Sequence, residues 1–169
     1  MKRICIAILW SFCFFALACD SGANSKTSGA AGAKSEKTGH IELIAAPKEE
    51  DIAAVVRSEM AKAPGKPLLV YVGAAWCEPC TRFHQAAAAG ELDTALGGLR
   101  LLEFDFDRDH EALAKAGYRS KMIPLFAIPK ADGTASGQAI SGGIKGEGAV
   151  SELVPRLSGL LAHFPPSSP

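Results

Sequence analysis

The spacing of hydrophobic positions along residues 40–163 switches repeatedly between the period of a strand and the period of a helix. Residues 68–74 form a nearly continuous apolar run, which predicts a buried strand. Residues 99–106 alternate apolar and acidic side chains and also predict a strand. Residues 49–62 instead carry an apolar side chain every three or four positions, which predicts a helix.

The other predicted elements continue this alternation, and turn residues or helix-ending residues separate them. They are a short strand at 40–45, a helix at 77–89, a short helix at 110–116, strands at 125–128 and 135–141 joined by a turn at 131–133, and a helix at 148–163 containing Pro155. This order predicts an α/β domain with a mixed central sheet flanked by helices on both faces. About 125 residues suffice for a single hydrophobic core.

Residues 1–18 have the pattern of a bacterial signal peptide. A basic start is followed by a mostly apolar, uncharged run at positions 4–18, shorter than the roughly 20 residues of a membrane-spanning helix. A small residue, Ala18, precedes Cys19 and a polar stretch, so the junction resembles a lipobox and predicts lipidation of Cys19. Ordinary cleavage after Ala18 and an uncleaved anchor helix are the alternatives. All three place the rest of the chain outside the cytoplasm.

The segments that flank the predicted domain have no apolar period. Residues 19–39, rich in Gly, Ala, Ser, Lys and Thr, predict a flexible tether with a reach of roughly 25 Å. Residues 164–169 are rich in proline and predict a disordered tail. Lys and Arg together number 18, as do Asp and Glu, and no basic patch is visible. This charge balance argues against nucleic acid as a partner.

Cys77 and Cys80 are separated by two residues at a predicted strand-to-helix junction, and the other three cysteines lie at or before position 19. The unpaired N–H groups and partial positive charge of a helix N-terminus stabilise a thiolate, the nucleophile of thiol–disulfide exchange. The pair is therefore predicted to be redox-active rather than a purely structural disulfide. Thr81 stands where covalent haem attachment needs His. Two cysteines cannot complete a structural zinc site, and we expect neither a metal nor a cofactor.

Three motifs in this order resemble the thioredoxin superfamily over residues 48–163. They are Ala75-Trp76-Cys77-Glu78-Pro79-Cys80, Phe104-Asp105-Phe106-Asp107, and Met122-Ile123-Pro124-Leu125-Phe126 with the turn Ala131-Asp132-Gly133. The resemblance implies the thioredoxin fold and a thiol–disulfide oxidoreductase. The Glu-Pro pair between the cysteines is also similar to that of extracytoplasmic reductases of the ResA/TlpA group, which serve cytochrome c maturation. The chain lacks the strand–helix insertion typical of that group.

The resemblance also implies a role for each motif residue. Cys77 would be the exposed attacking thiol and Cys80 the buried resolving thiol. Ile123-Pro124 would form a cis peptide that faces the pair and aligns an extended substrate chain. Trp76 would cover the disulfide and offer an apolar docking surface. The alternative for Trp76 is a core aromatic side chain.

Two positions depart from the family pattern. Tyr71 stands where the family commonly has a buried acid, and the partner position on the next strand aligns with Glu103. We therefore formulate the hypothesis that Glu103 lies beneath the cysteines and accepts the proton of Cys80. The alternative is that Glu103 faces solvent. Glu78 is expected to raise the pKa of Cys77 by like charge, which would favour a reductant.

His84 follows Cys77 by seven residues, which allows a Cys–His pair for hydrolysis. A surface or half-buried histidine is the interpretation that we favour. The sequence thus predicts a monomeric, lipid-anchored reductant of disulfide-containing client proteins in the bacterial cell envelope, with a membrane thiol relay as its electron donor. An oxidase or isomerase using the same cysteines, and a non-enzymatic module that delivers copper(I), are the alternatives.

Overall fold

The computed structural model describes residues 39–49 and 51–164. Its strands are β1 (Glu42–Ala45), β2 (Leu68–Gly73), β3 (Arg100–Asp105), β4 (Leu125–Pro129) and β5 (Ala135–Ser141). Its helices are α1 (Ile52–Lys62), α2 (Glu78–Ala88), α3 (Asp93–Leu96), α4 (Phe106–Lys115) and α5 (Ala149–Leu161). The predicted signal peptide, lipidation site, tether and tail fall outside the described residues, apart from Gly39 and Phe164.

The strands form one five-stranded mixed sheet in the order β1-β3-β2-β4-β5. β3 pairs in parallel with β1 and β2, whereas β4 pairs antiparallel with β2 and β5. All six residues of β2 are buried, as the continuous apolar run predicted. Between α2 and β4 the chain contains α3, β3 and α4 but no additional strand, so the insertion is absent as expected. This topology confirms the thioredoxin fold.

Hydrophobic side chains pack on both faces of the sheet. Along β2, Leu69 and Tyr71 belong to one core cluster, and Val70 and Val72 belong to the other. Helices α2, α3 and α5 contribute to the first cluster, whereas α1 and α4 contribute to the second. The predicted arrangement of helices on both faces is therefore confirmed. No helix in the described part of the chain is long and apolar enough to cross a membrane.

The largest differences from the sequence prediction concern helices α3 and α4, whereas α1 begins three residues and β1 two residues later than predicted. Helix α4 begins at Phe106 rather than at residue 110, because the Asp105 carboxylate accepts a hydrogen bond from the Arg108 backbone N–H at 2.9 Å and caps the helix. The alternating pattern through Phe106 is thus divided between a strand and the first turn of a helix. The four-residue helix α3 was not predicted, and no side chain caps its N-terminus.

A buried ion pair joins α1 to the start of β3. The guanidinium of Arg100 donates to the carboxylate of Glu59, and both side chains are less than a tenth exposed. Arg100 also donates to the Glu59 carbonyl oxygen at 3.1 Å and to the carboxylate of Glu42 at 3.1 Å. Lys62 pairs with the same Glu59 carboxylate at 2.7 Å. The buried charges are therefore matched by opposite charges and hydrogen bonds, as burial requires.

Candidate active site

Cys77 and Cys80 lie where β2 ends and α2 begins, and a disulfide joins them with their Cα atoms 5.2 Å apart. Cys77 is the N-cap residue of α2, and its Sγ accepts a hydrogen bond from the Cys80 backbone N–H at 3.3 Å. The sulfur of Cys77 is thus held at the positive end of a helix. After reduction, the same backbone groups would stabilise a Cys77 thiolate.

Both cysteines are buried in the disulfide form, with Cys77 5% exposed and Cys80 2% exposed. Burial of Cys80 agrees with its expected place as the resolving thiol. The expectation that Cys77 is exposed is wrong for this form, in which its Sγ is bonded to Cys80 and accepts a hydrogen bond from the Cys80 backbone N–H.

Trp76 is 63% exposed, so the alternative of a core aromatic is wrong. Its indole Nε1 donates to the Asp107 carboxylate at 2.8 Å, and its ring meets the edge of Phe106 at 6.4 Å between centroids. Met122 and Ile144 are the other large apolar side chains in the described ranges that are mostly exposed. Trp76 therefore offers an apolar surface directly beside Cys77.

The Ile123–Pro124 peptide bond is cis, as the resemblance implied. Val72 of β2 pairs with Leu125 of β4, so Pro124 lies at the end of the sheet from which the chain continues to Cys77. The loop after β5 reaches the same region, because the Gly142 backbone N–H donates to the Pro124 carbonyl at 2.8 Å. Sheet register therefore places the cis peptide and the cysteine pair at the same end of the domain.

Glu78 is exposed at the first position of α2 and pairs with Arg82 one turn later, at 3.0 Å. The hydrogen bond from Arg82, with one from the Gly146 backbone N–H, holds the pKa of Glu78 below its ordinary value. The carboxylate is therefore ionised near neutral pH, but Arg82 partly balances its charge. Its predicted repulsion of a Cys77 thiolate is correspondingly weaker than that of an unpaired carboxylate.

A cleft of about 410 Å³ opens beside Cys80. Glu103 and His84 both line this cleft, and His84 Nε2 lies 2.9 Å from Glu103 Oε1. Each of the two side chains is about one-third exposed, so His84 is half-buried as expected. Glu103 is neither buried beneath the cysteines nor simply directed into solvent, because its carboxylate binds His84. The sequence signals only the placement of His84 near Cys80: His84 follows Cys80 by four residues, which places both on one face of a helix.

Tyr71 forms part of the same cleft and pairs in register with Glu103 across β2 and β3. Its ring contacts those of His84 and Phe126, with centroids 5.5 and 4.9 Å away. Its hydroxyl is buried and has no hydrogen-bond partner among the described residues. Burial, together with the charge of Glu103, raises the pKa of Tyr71 well above its ordinary value, so the phenol stays protonated near neutral pH. A Cys-X-X-Cys disulfide on this fold is the arrangement expected of a thiol–disulfide oxidoreductase.

Comparison with known proteins gave matches among solved structures. No protein-family model and no curated protein matches the chain. A thioredoxin from Fasciola hepatica is 24% identical, with 68% of this chain and 97% of that protein covered and a TM-score of 0.42. A poplar thioredoxin h is 24% identical, with coverage of 75% and 100% and a TM-score of 0.46. Oxidised thioredoxin O2 from Arabidopsis thaliana is 22% identical, with coverage of 73% and 94% and a TM-score of 0.45.

Proposed function

We propose that this protein is a lipid-anchored reductase of protein disulfides in the bacterial cell envelope. The observation that supports it most directly is the disulfide between Cys77 and Cys80 at the N-terminus of α2. A cysteine pair in this position can exchange between a dithiol and a disulfide. The exposed indole of Trp76 beside it provides an apolar surface for a polypeptide client.

The reaction proceeds through two exchanges. The Cys77 thiolate attacks one sulfur of the client disulfide, forms a mixed disulfide and releases the other client sulfur as a thiolate. Cys80 then loses its proton to a base, attacks Sγ of Cys77, and displaces the remaining client sulfur. The client gains two electrons and takes up two protons, and the cysteine pair loses the same number as its disulfide forms.

The proposed direction is reduction of the client. Ile123 before Pro124 resembles the reducing thioredoxins, and the ionised Glu78 beside Cys77 disfavours a highly stabilised thiolate. A reductant outside the cytoplasm needs an electron donor, and a membrane thiol relay is the class that we propose. An oxidase or isomerase would use the same two cysteines, but with a more oxidising reduction potential.

The proposed location depends on residues 1–39. The apolar run that ends in Ala18-Cys19 supports a lipid anchor at Cys19, and residues 19–39 would let the domain reach clients near the membrane. If the Cys19→Ser variant stays in the membrane fraction as fully as the wild type, a lipid on Cys19 is not the anchor. The class of client is a separate question. The Glu78-Pro79 pair favours clients of the cytochrome c maturation type, because it resembles that of the ResA/TlpA group, whereas the absence of the insertion typical of that group argues against them. The proposed client class is therefore disulfide-bonded envelope proteins in general.

The reduction potential of the Cys77–Cys80 pair tests the proposed direction. The domain would be equilibrated with glutathione or dithiothreitol buffers and its thiols trapped and counted. We expect a value near that of thioredoxin, about −270 mV. A value near about −120 mV would instead identify a dithiol oxidase.

A further inference from the structure

We propose that His84, held by Glu103, is the base that removes the proton of Cys80 when the mixed disulfide is resolved. This inference rests on the proposed function, because it concerns the second exchange of that reaction. The sequence suggests Glu103 as the proton acceptor, and this proposal gives Glu103 a different role. The carboxylate does not take the proton itself but positions the imidazole that does.

The placement of three side chains leads to this assignment. Cys80 and His84 are one turn apart on α2, and both line the cleft that Glu103 enters from β3. Glu103 Oε1 lies 2.9 Å from His84 Nε2. When Nε2–H donates to that carboxylate, the other ring nitrogen, Nδ1, is the acceptor. A carboxylate at this distance from Nε2 favours the tautomer in which Nδ1 is the proton acceptor.

Other groups in the cleft are less suited to this role. The charged and titratable side chains that line it are Cys80 and His84 of α2, Tyr71 of β2, Glu103 and Asp105 of β3, and Arg108 of α4. Tyr71 stays protonated, since burial raises its pKa, and therefore cannot accept a proton near pH 7. Asp105 is engaged as the cap of α4. Arg108, a permanent cation, is bound to Asp109 at 2.7 Å.

The chemistry also favours the imidazole over a carboxylate. Histidine is the side chain that most often serves as a general base, because an imidazole binds a proton more tightly than a carboxylate does. The proton moves from Cys80 Sγ to the imidazole, directly or through one water in the cleft. The imidazolium formed is stabilised by the Glu103 carboxylate and later returns the proton to solvent. The three sulfurs that exchange partners, which are those of Cys77, Cys80 and the client, undergo no net change in their combined number of electrons.

The test separates the two exchanges. The reduced protein, freed of reductant, is mixed with excess oxidised glutathione, quenched with acid at intervals and analysed by mass spectrometry. Formation of the glutathione adduct on Cys77 reports the first exchange, and its conversion to the Cys77–Cys80 disulfide reports the second. Because a positioned base contributes about 10²- to 10⁴-fold, we expect His84→Gln to slow the second exchange by about 100-fold at pH 7.

The pH dependence gives a readout that a purely structural role would not produce. Only the neutral imidazole can accept a proton, so the wild-type second exchange should slow when acidification protonates His84. At alkaline pH, where Cys80 ionises without the help of a base, His84→Gln should approach the wild-type rate. Glu103→Gln should lose less than His84→Gln, because the imidazole remains but lacks its charged partner.

His40→Gln is the matched control, since His40 also pairs with a carboxylate, that of Asp93, but does not line the cleft beside Cys80. We expect its two rates to equal those of the wild type. A His84→Gln protein that forms the adduct normally and resolves it at the wild-type rate at pH 7 would overturn the assignment while leaving the reductase proposal intact. A wild-type protein that forms no adduct and no disulfide would overturn the reductase proposal itself.

Discussion

Tyr71 and Tyr118 are both buried, but only one of their hydroxyls has a partner in the described structure. Tyr118 donates to the Gly133 carbonyl oxygen at 2.8 Å, whereas the Tyr71 hydroxyl is buried without a hydrogen bond. A buried hydroxyl left unpaired costs about 1–3 kcal/mol, because it has lost its hydrogen bonds to water. We therefore predict that Tyr71→Phe stabilises the domain and that Tyr118→Phe destabilises it.

The magnitude follows from two opposing terms. Removing the Tyr71 oxygen would leave a gap of roughly 15 Å³, which costs about 0.4 kcal/mol at about 24 cal/mol per Å³. Relief of the unpaired hydroxyl exceeds this cost, so Tyr71→Phe should gain about 1–2 kcal/mol, or roughly 4 °C in Tm per kcal/mol. Tyr118→Phe should lose about 1–2 kcal/mol, because it leaves the buried Gly133 carbonyl without its donor.

Urea unfolding of the oxidised wild type and the two variants at pH 7 measures both changes. The two variants remove the same atom from the same residue type, so their difference isolates the hydrogen bond. Equal destabilisation of the two would show that the Tyr71 hydroxyl is hydrogen-bonded in solution, and the reasoning would fail.

Two further stability predictions concern other parts of the fold. Arg100→Met should lower the free energy of unfolding in urea by about 3 kcal/mol, which is near the low end for a broken buried ion pair because Lys62 still binds Glu59. The double variant Arg100→Met/Glu59→Met should recover most of this loss, because no unpaired buried charge remains. A double variant no more stable than the single one would contradict the charge argument. Gly133→Ala should destabilise the domain more than Gly137→Ala does in the same assay. Both glycines have positive φ, +81° and +90°, which costs alanine about 1–2 kcal/mol, but only at Gly133 would the added Cβ collide with the Ala53 carbonyl. Equal losses of stability would show that this collision does not contribute.

Much of this fold can be predicted from the chain because its strongest patterns are local. β5 begins and ends at the predicted residues, and the long apolar run predicts β2 to within one residue. Cys77, by contrast, is buried in the disulfide form, and a motif does not specify how exposed its residues are. The early start of α4 depends on the Asp105 cap, and an alternating pattern does not distinguish a strand end from a helix start.

The sequence predicts the chemistry of the candidate site but not the contacts between its side chains. The two cysteines and the cis proline follow from motifs, whereas the pairing of His84 with Glu103 depends on how α2 lies over β3. No spacing in the sequence joins two residues that are brought together only by packing of a helix on a sheet. The sequence therefore predicts Glu103 near the cysteines but does not predict its partner, His84.

Trp76 also gives this protein a built-in optical signal. The chain has two tryptophans, and the other, Trp10, lies within the predicted signal peptide, so Trp76 would be the single indole of the processed protein. It adjoins Cys77, and a disulfide quenches the emission of a neighbouring indole by accepting an electron from its excited state. Opening and closing of the disulfide should therefore change the intensity of one emitter. In the absence of a client, the redox state could therefore be followed in real time without a label.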